Sequence, residues 1–274
     1  MKKARLLRSY TVLIYLFLYL PMLYLILFSF NSSKNAARFE GFTVKWYREL
    51  IGSGLLGLLG NSVLLAVCAS LVATLLGTAA AVGIFKMKKR SQSWIMTVTN
   101  IPMTNPDIVT GISLALLFSF FGYLFKTNTY LGFGTMLIAH VTFCLPYIVL
   151  SVMPKLNQMD QNLLDAALDL GCKPTGAFFR VVLPEIFPGI LSGLMMSFTY
   201  SLDDFIISYF VVGNDFTTLP LEIYNYVKKQ ISPTVYALFT LMFAIIMLLL
   251  VSVNLLQSRQ DKKRIGKERS TFVQ

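Results

Sequence analysis

Asp165-Ala166-Ala167-Leu168-Asp169-Leu170-Gly171, followed after nine further residues by Val181-Val182-Leu183-Pro184, is the stretch on which the reading of this chain turns. Asp160 is placed to cap a helix whose first turn is Gln161-Asn162-Leu163, and Gly171 supplies a left-handed stop. Such a helix has about ten residues, too few to stand alone in water. Leu164, Ala167, Leu168 and Leu170 give it an apolar side, and Ala166-Ala167 keeps its surface flat enough for close approach. A second helix can start with Pro174 at its first position and run toward Pro184. Taken alone, the stretch could be a plain loop on a membrane surface. A short polar helix has little reason to interrupt long apolar runs unless another protein docks on it.

Those apolar runs set the class. Of 274 residues 55% are hydrophobic, and only 14% are charged, against about 25% in a soluble domain. Mean hydropathy is +0.66. About 20 apolar residues cross a bilayer as a helix. Spans are expected at roughly 10–30, 61–85, 94–121, 130–152, 185–212 and 235–257. The first begins behind a basic start, Met1-Lys2-Lys3-Ala4-Arg5. Its length, Pro21 and the lack of a small-residue cleavage site favour a retained span over a signal peptide. The expectation is an all-α polytopic membrane protein with six helices, 1–274 forming a single domain, and a cytosolic loop at about 153–184.

With six spans both termini share one side. Placing them in the cytosol puts seventeen of the 24 Lys and Arg residues inside and seven outside, as the positive-inside bias requires. The net charge of +11 is thus a topology signal rather than a nucleic-acid footprint. The tail from Arg259 to Arg269 reads as stop-transfer charge that could also meet anionic lipid. Outside, residues 31–60 and 213–234 form two longer loops. Phe42-Thr43-Val44-Lys45-Trp46-Tyr47 carries rings suited to the headgroup level.

Several chemistries are excluded. Gly52-Ser53-Gly54-Leu55-Leu56-Gly57 has the letters of a dinucleotide fingerprint, but no strand precedes it and no acid follows at the right distance. It reads as a turn into the second span. No phosphate-binding glycine loop ending in Lys-Ser/Thr occurs, so ATP must be held elsewhere. His140 is the single histidine, which leaves neither a zinc site nor a serine triad its parts. It is expected to be hydrogen-bonded between helices. Cys68, Cys144 and Cys172 lack metal-ligand spacing and read as small apolar fillers. No catalytic residue, metal or cofactor is expected.

The spacing acid-Ala-Ala, three residues, Gly, nine residues, aliphatic-x-Leu-Pro resembles the coupling-loop signature of ABC importer permeases, with Asp165 for the usual Glu and Val181 for the usual Ile. More narrowly, the chain resembles the permeases of spermidine/putrescine importers (the PotC type). The resemblance rests on Asn31-Ser32-Ser33, Lys45-Trp46-Tyr47, Asn105-Pro106-Asp107-Ile108-Val109, His140 to Pro146 and Ser197 to Asp204, in that order. It implies a bacterial inner-membrane subunit in which Asp165, Ala166, Ala167 and Gly171 form the helix that docks on a separate cytosolic ATPase. It also implies a second homologous permease and an external polyamine-binding protein, without nucleic acid.

Three acids fall inside expected spans, Asp107, Asp203 and Asp204. An ionisable group at membrane depth is costly and marks a functional candidate. At about 1.5 Å per residue, Asp107 lies roughly 20 Å from Trp94 and Asp203 roughly 22 Å from Pro188, a similar level on two spans. A polyamine needs spaced carboxylates and aromatic faces, and Tyr200 and Phe205 flank the acid pair. Adjacent residues diverge by about 100°, so Asp203 and Asp204 cannot both face one lumen, and one is expected to pair with a neighbour. Asp107 could instead serve the start of a helix, with Asn105 as cap and Pro106 first inside. Ala73, Gly77, Ala81, Gly189 and Gly193 are expected to permit close helix crossings. Anionic cargo such as a phosphonate predicts basic residues in the spans, whereas acids are found, and a metal complex is a further alternative cargo. A proton-coupled carrier would use buried carboxylates but would need no docking loop.

Overall fold

The computed structural model describes residues 2–34, 38–125, 131–213, 215–227, 232–248, 251–252 and 255. Among them there are helices and no strand, only an isolated antiparallel bridge between Asn31 and Phe42. Five helices are long and apolar enough to cross a membrane, and Pro233–Leu248 is a shorter sixth. The basic tail Arg259–Arg269 and the end of the sixth expected span lie outside the described residues. The chain divides into two compact units, Met1–Leu58 with Glu222–Gln274, and Leu59–Leu221.

In the first unit, α1 (Lys2–Phe28) is exposed along its apolar segment, as a helix meant for lipid would be. The loop after it closes on Asn31. The Asn31 amide donates to Arg38 O at 2.7 Å, and its side-chain oxygen accepts from the Glu40 N–H at 2.9 Å. Its carbonyl accepts from Trp46 Nε1 at 2.5 Å. Trp46 and Leu50 are the buried face of the short α2 (Lys45–Gly52). Phe30 stacks on Phe42, with ring centroids 5.0 Å apart. Ser53-Gly54, with Gly54 left-handed at φ 74°, turns the chain into the next helix, as read from the sequence.

The second unit holds α3 from its second turn (the whole helix is Leu55–Phe85), α4 (Lys89–Thr104), α5 (Asp107–Leu124), α6 (Phe133–Gln158), α7 (Gln161–Asp169) and α8 (Pro174–Ala177). A π-helical turn, Phe178–Val182, then leads into α9 (Leu183–Asp203), followed by α10 (Ile206–Val211). The remaining helices are α11 (Leu219–Val227), across the unit boundary, and α12 (Pro233–Leu248). The central element of this unit is α6, with twelve buried residues. A Cβ on Gly77 of α3 would lie 2.7 Å from Ile148 Cβ, and one on Gly193 of α9 would lie 3.2 Å from Ile148 Cα. On Gly189 it would lie 2.8 Å from the Ser151 carbonyl oxygen. The small residues therefore let α3 and α9 approach α6 through Ile148, with Ala73 and Ala81 fully buried alongside. Gly189→Val sets a side chain against backbone that cannot swing aside. It is expected to cost about 1–3 kcal/mol of overpacking, visible as a lower midpoint of thermal inactivation in detergent.

Two expected spans are broken. Residues 94–121 form α4 and α5, separated at Asn105-Pro106, where a proline without an N–H cannot continue the helix. Residues 185–212 divide at Asp204-Phe205 into α9 and α10, although neither Pro nor Gly stands there. The helix expected to start at Pro174 does so and runs on into α9 without a break, so Pro174–Asp203 is one helical run of 30 residues through Pro184 and Pro188.

Candidate functional site: a docking helix and two broken spans

The α7 helix is built as its sequence dictates. Asp160 accepts at 3.0 Å from the Asn162 N–H, closing the N-terminus. At the other end Gly171 is left-handed at φ 84°; its N–H reaches Leu168 O at 2.9 Å, and the Cys172 N–H reaches Ala167 O at 3.1 Å. This is the paired-bond glycine stop that satisfies the last carbonyls. Leu164 turns inward against the core, while Asp165, Ala166 and Gly171 are exposed. Leu170 is 87% exposed and Phe179 is 65% exposed. Leu170 stands outside the runs apolar enough to span a membrane, where a large exposed apolar side chain is open to contact by another protein. Behind α7 lies a cavity of about 210 Å³ lined by Leu164, Asp165 and Leu168, with Phe85 at the end of α3 and the following Lys86 also lining it.

The break in the fifth span is held by a buried polar knot. His140 of α6 meets Ser201 Oγ through Nδ1 at 2.7 Å and Ser208 Oγ through Nε2 at 2.9 Å. Its Nε2 also lies 3.4 Å from Asp204 Oδ2, with side chains 1% and 7% exposed. Asp204 in turn accepts from the Ile207 N–H at 3.2 Å and the Ser208 N–H at 2.8 Å, capping α10. One histidine thus ties the end of α9 to the start of α10, and every side of the Asp204 carboxylate faces a donor or the imidazole.

Asp203 differs. It is the last residue of α9 and is exposed. A carboxylate at a helix C-terminus adds to the negative end of the dipole, an arrangement that favours a cation nearby. Asp107 is also exposed, in the first turn of α5, with Pro106 as the N-cap in place of the expected Asn105, which ends α4. Tyr147 packs against Tyr200 with the rings tilted by 36° and centroids 4.4 Å apart, and Phe143 meets both rings edge-on at 5.5 and 6.3 Å. Tyr200 stands one turn before Asp203, on the same side of α9. Asp107 stands at the start of α5, Tyr147 on α6, and Tyr200 and Asp203 in the last turn of α9. Phe205 lies apart, packed on the core with its ring 5.7 Å from Tyr209. Sequence reading did not single out Tyr147; its one-turn spacing from Phe143 on the most buried helix is the signal that could have found it.

Residues 73–266 match the family model described as "binding-protein-dependent transport system inner membrane component". The spermidine/putrescine transport system permease protein PotC of Escherichia coli K12 is 36% identical over 96% of this chain and 98% of its own length. The putrescine transport system permease protein PotI of the same strain is 37% identical, covering 91% of this chain and 89% of its own. Among solved structures, a chain of a bacterial ABC transporter that imports the acidic polysaccharide alginate superposes with a TM-score of 0.73 at 14% identity, covering 94% and 96%. A chain of the MetNI methionine ABC transporter gives 0.57 at 16% identity, covering 75% and 93%. The exposed short helix with its glycine stop, the apolar spans and these matches agree: the chain belongs to the inner-membrane permeases of binding-protein-dependent ABC importers.

Proposed function

We propose that this permease carries spermidine and putrescine inward, pairs with a second, homologous permease, and is driven by a cytosolic ATPase docked on α7. The observation that supports this most is the pair of exposed carboxylates on different helices, Asp107 and Asp203, together with the paired rings of Tyr147 and Tyr200 on α6 and α9. Carboxylates set apart, together with aromatic faces, suit a flexible chain bearing two or three ammonium groups. Asp204, occupied by His140 and two backbone N–H groups, takes no part in binding cargo. The 34–37% identity to permeases named for spermidine and putrescine points the same way.

Both termini lie in the cytosol in this reading, with the basic residues, and an extracytoplasmic binding protein delivers the polyamine. The run Pro174–Asp203 begins beside α7 and ends at the cargo carboxylate, about 45 Å of helix. ATP-driven closure of the ATPase displaces α7, the run carries the movement to Asp203, and the pathway opens outward; hydrolysis resets it. Asp203→Asn keeps shape and removes charge. A hydrogen bond to a charged group contributes about 1.5–3 kcal/mol, so labelled polyamine uptake by cells carrying the whole importer is expected to fall about tenfold or more, with the complex still assembled. Unchanged uptake by that variant would remove Asp203 from the pathway.

A further inference from the structure

The α4 helix, which leads into the break at Asn105-Pro106, is less apolar than α5, α6 and α9, and its exposed side is divided. At 100° per residue, Ser93, Thr97, Asn100 and Thr104 fall within about 60° of one another, all polar. Trp94, Val98 and Ile101 fill the adjoining exposed sector, while Gln92, Ile95, Met96 and Thr99 face inward. A narrow polar strip beside an apolar one does not suit lipid, where each polar group needs a partner.

The hydrogen bonds of the strip say what that partner is. Thr97 Oγ1 donates to Ser93 O at 3.0 Å, Asn100 Nδ2 to Met96 O at 2.9 Å, and Thr104 Oγ1 to Ile101 O at 3.0 Å. The hydroxyl hydrogens and one Asn100 amide hydrogen are spent inside the helix, so the strip offers outward its acceptor oxygens together with the second Asn100 N–H. Among the described residues no donor is directed at these oxygens. An ammonium group is the complement, with donors and no acceptor. Successive rungs lie about 4.5–6 Å apart along the axis. That matches the roughly 5–6 Å between ammonium groups set three or four carbons apart, from bond lengths near 1.5 Å. The strip's top rung, Thr104, is three residues from Asp107 across the Asn105-Pro106 break. Its lowest, Ser93, opens on a cleft of about 390 Å³ with Gln92 and Asn157, where Lys89 repels a cation.

We infer that Thr97, Asn100 and Thr104 form an uncharged acceptor ladder that passes the ammonium groups of a linear polyamine from Asp107 toward the cytosol. This rests on the polyamine reading above. Uncharged rungs bind weakly enough to let cargo leave, which conduction requires.

The test uses the whole importer. Thr97→Val/Asn100→Leu/Thr104→Val keeps approximate shape and removes the acceptors. Labelled spermidine uptake is expected to drop at least about tenfold, given the strength of hydrogen bonds to charged groups, while Thr97→Ser/Thr104→Ser stays near wild type. In parallel, single cysteines at 97, 100 and 104 are placed in a chain whose three native cysteines are alanine. 2-Aminoethyl methanethiosulfonate is expected to label them, with protection by spermidine, and to leave cysteines at 98 and 101 unprotected. Undiminished uptake by the triple variant, or equal labelling of both sectors, overturns the ladder. Loss of the second permease on co-purification assigns the strip to a subunit interface and overturns it too. If wild type imports no polyamine, the cargo reading itself fails, an outcome seen before any variant is compared.

Discussion

Gly171→Val is expected to reduce polyamine uptake to background while leaving the permease inserted and folded. No atom lies within 4 Å of a Cβ at this position, so crowding plays no part. The cost is backbone strain: φ of 84° is left-handed, and an L side chain there costs about 1–2 kcal/mol, more when β-branched. That is a small fraction of the stability of a membrane domain but a large one for α7, a nine-residue helix whose last carbonyls depend on the Gly171 and Cys172 N–H groups. Relaxing the strain unwinds the end that presents Leu170. Co-purification of the ATPase is expected to weaken, and binding-protein stimulation of ATP hydrolysis to disappear. Gly171→Asn, which tolerates the left-handed region, is expected to retain most uptake. Normal uptake by the valine variant would separate α7 from coupling.

His140→Ala is expected to be the most damaging substitution in the second unit. It leaves Asp204 buried with backbone donors alone and strips Ser201 and Ser208 of their shared partner. Leaving buried polar groups short of a hydrogen-bond partner costs about 1–3 kcal/mol each, and more where the group is charged. The variant is expected to accumulate poorly and to inactivate at a markedly lower temperature in detergent. Asp203→Asn, one residue from the knot but exposed, is expected to lose transport and keep thermal stability. This contrast separates the two adjacent acids by role. Equal thermal behaviour of the two variants would contradict the division.

The α7 helix and its surroundings were the most legible part of the sequence because their signals are local: Asp160 as cap, Gly171 as stop and Pro174 at a first helical position all stand where the sequence places them. The small-residue crossings were equally readable, since a missing side chain has one structural use in a membrane helix, and Gly77, Gly189 and Gly193 all meet α6. The break at Asn105-Pro106 carried a proline. The break at Asp204-Phe205 was not readable as one, since apolar residues continue on both sides and the interruption depends on His140, 64 positions earlier, holding Asp204 as a cap for α10. For the same reason Asp203 and Asp204 could not be assigned separately, and Tyr147 became visible only when α6 was laid against α9.

The central claim is that the chain helps to move polyamines at the expense of ATP. The most direct measurement places the purified importer in proteoliposomes oriented with the binding protein and labelled spermidine on one side and ATP on the other. Accumulation that requires ATP and the binding protein, and survives a protonophore, is the predicted result. Accumulation that follows a proton gradient and ignores ATP, or no spermidine movement by a complex that hydrolyses ATP for another solute, would contradict it.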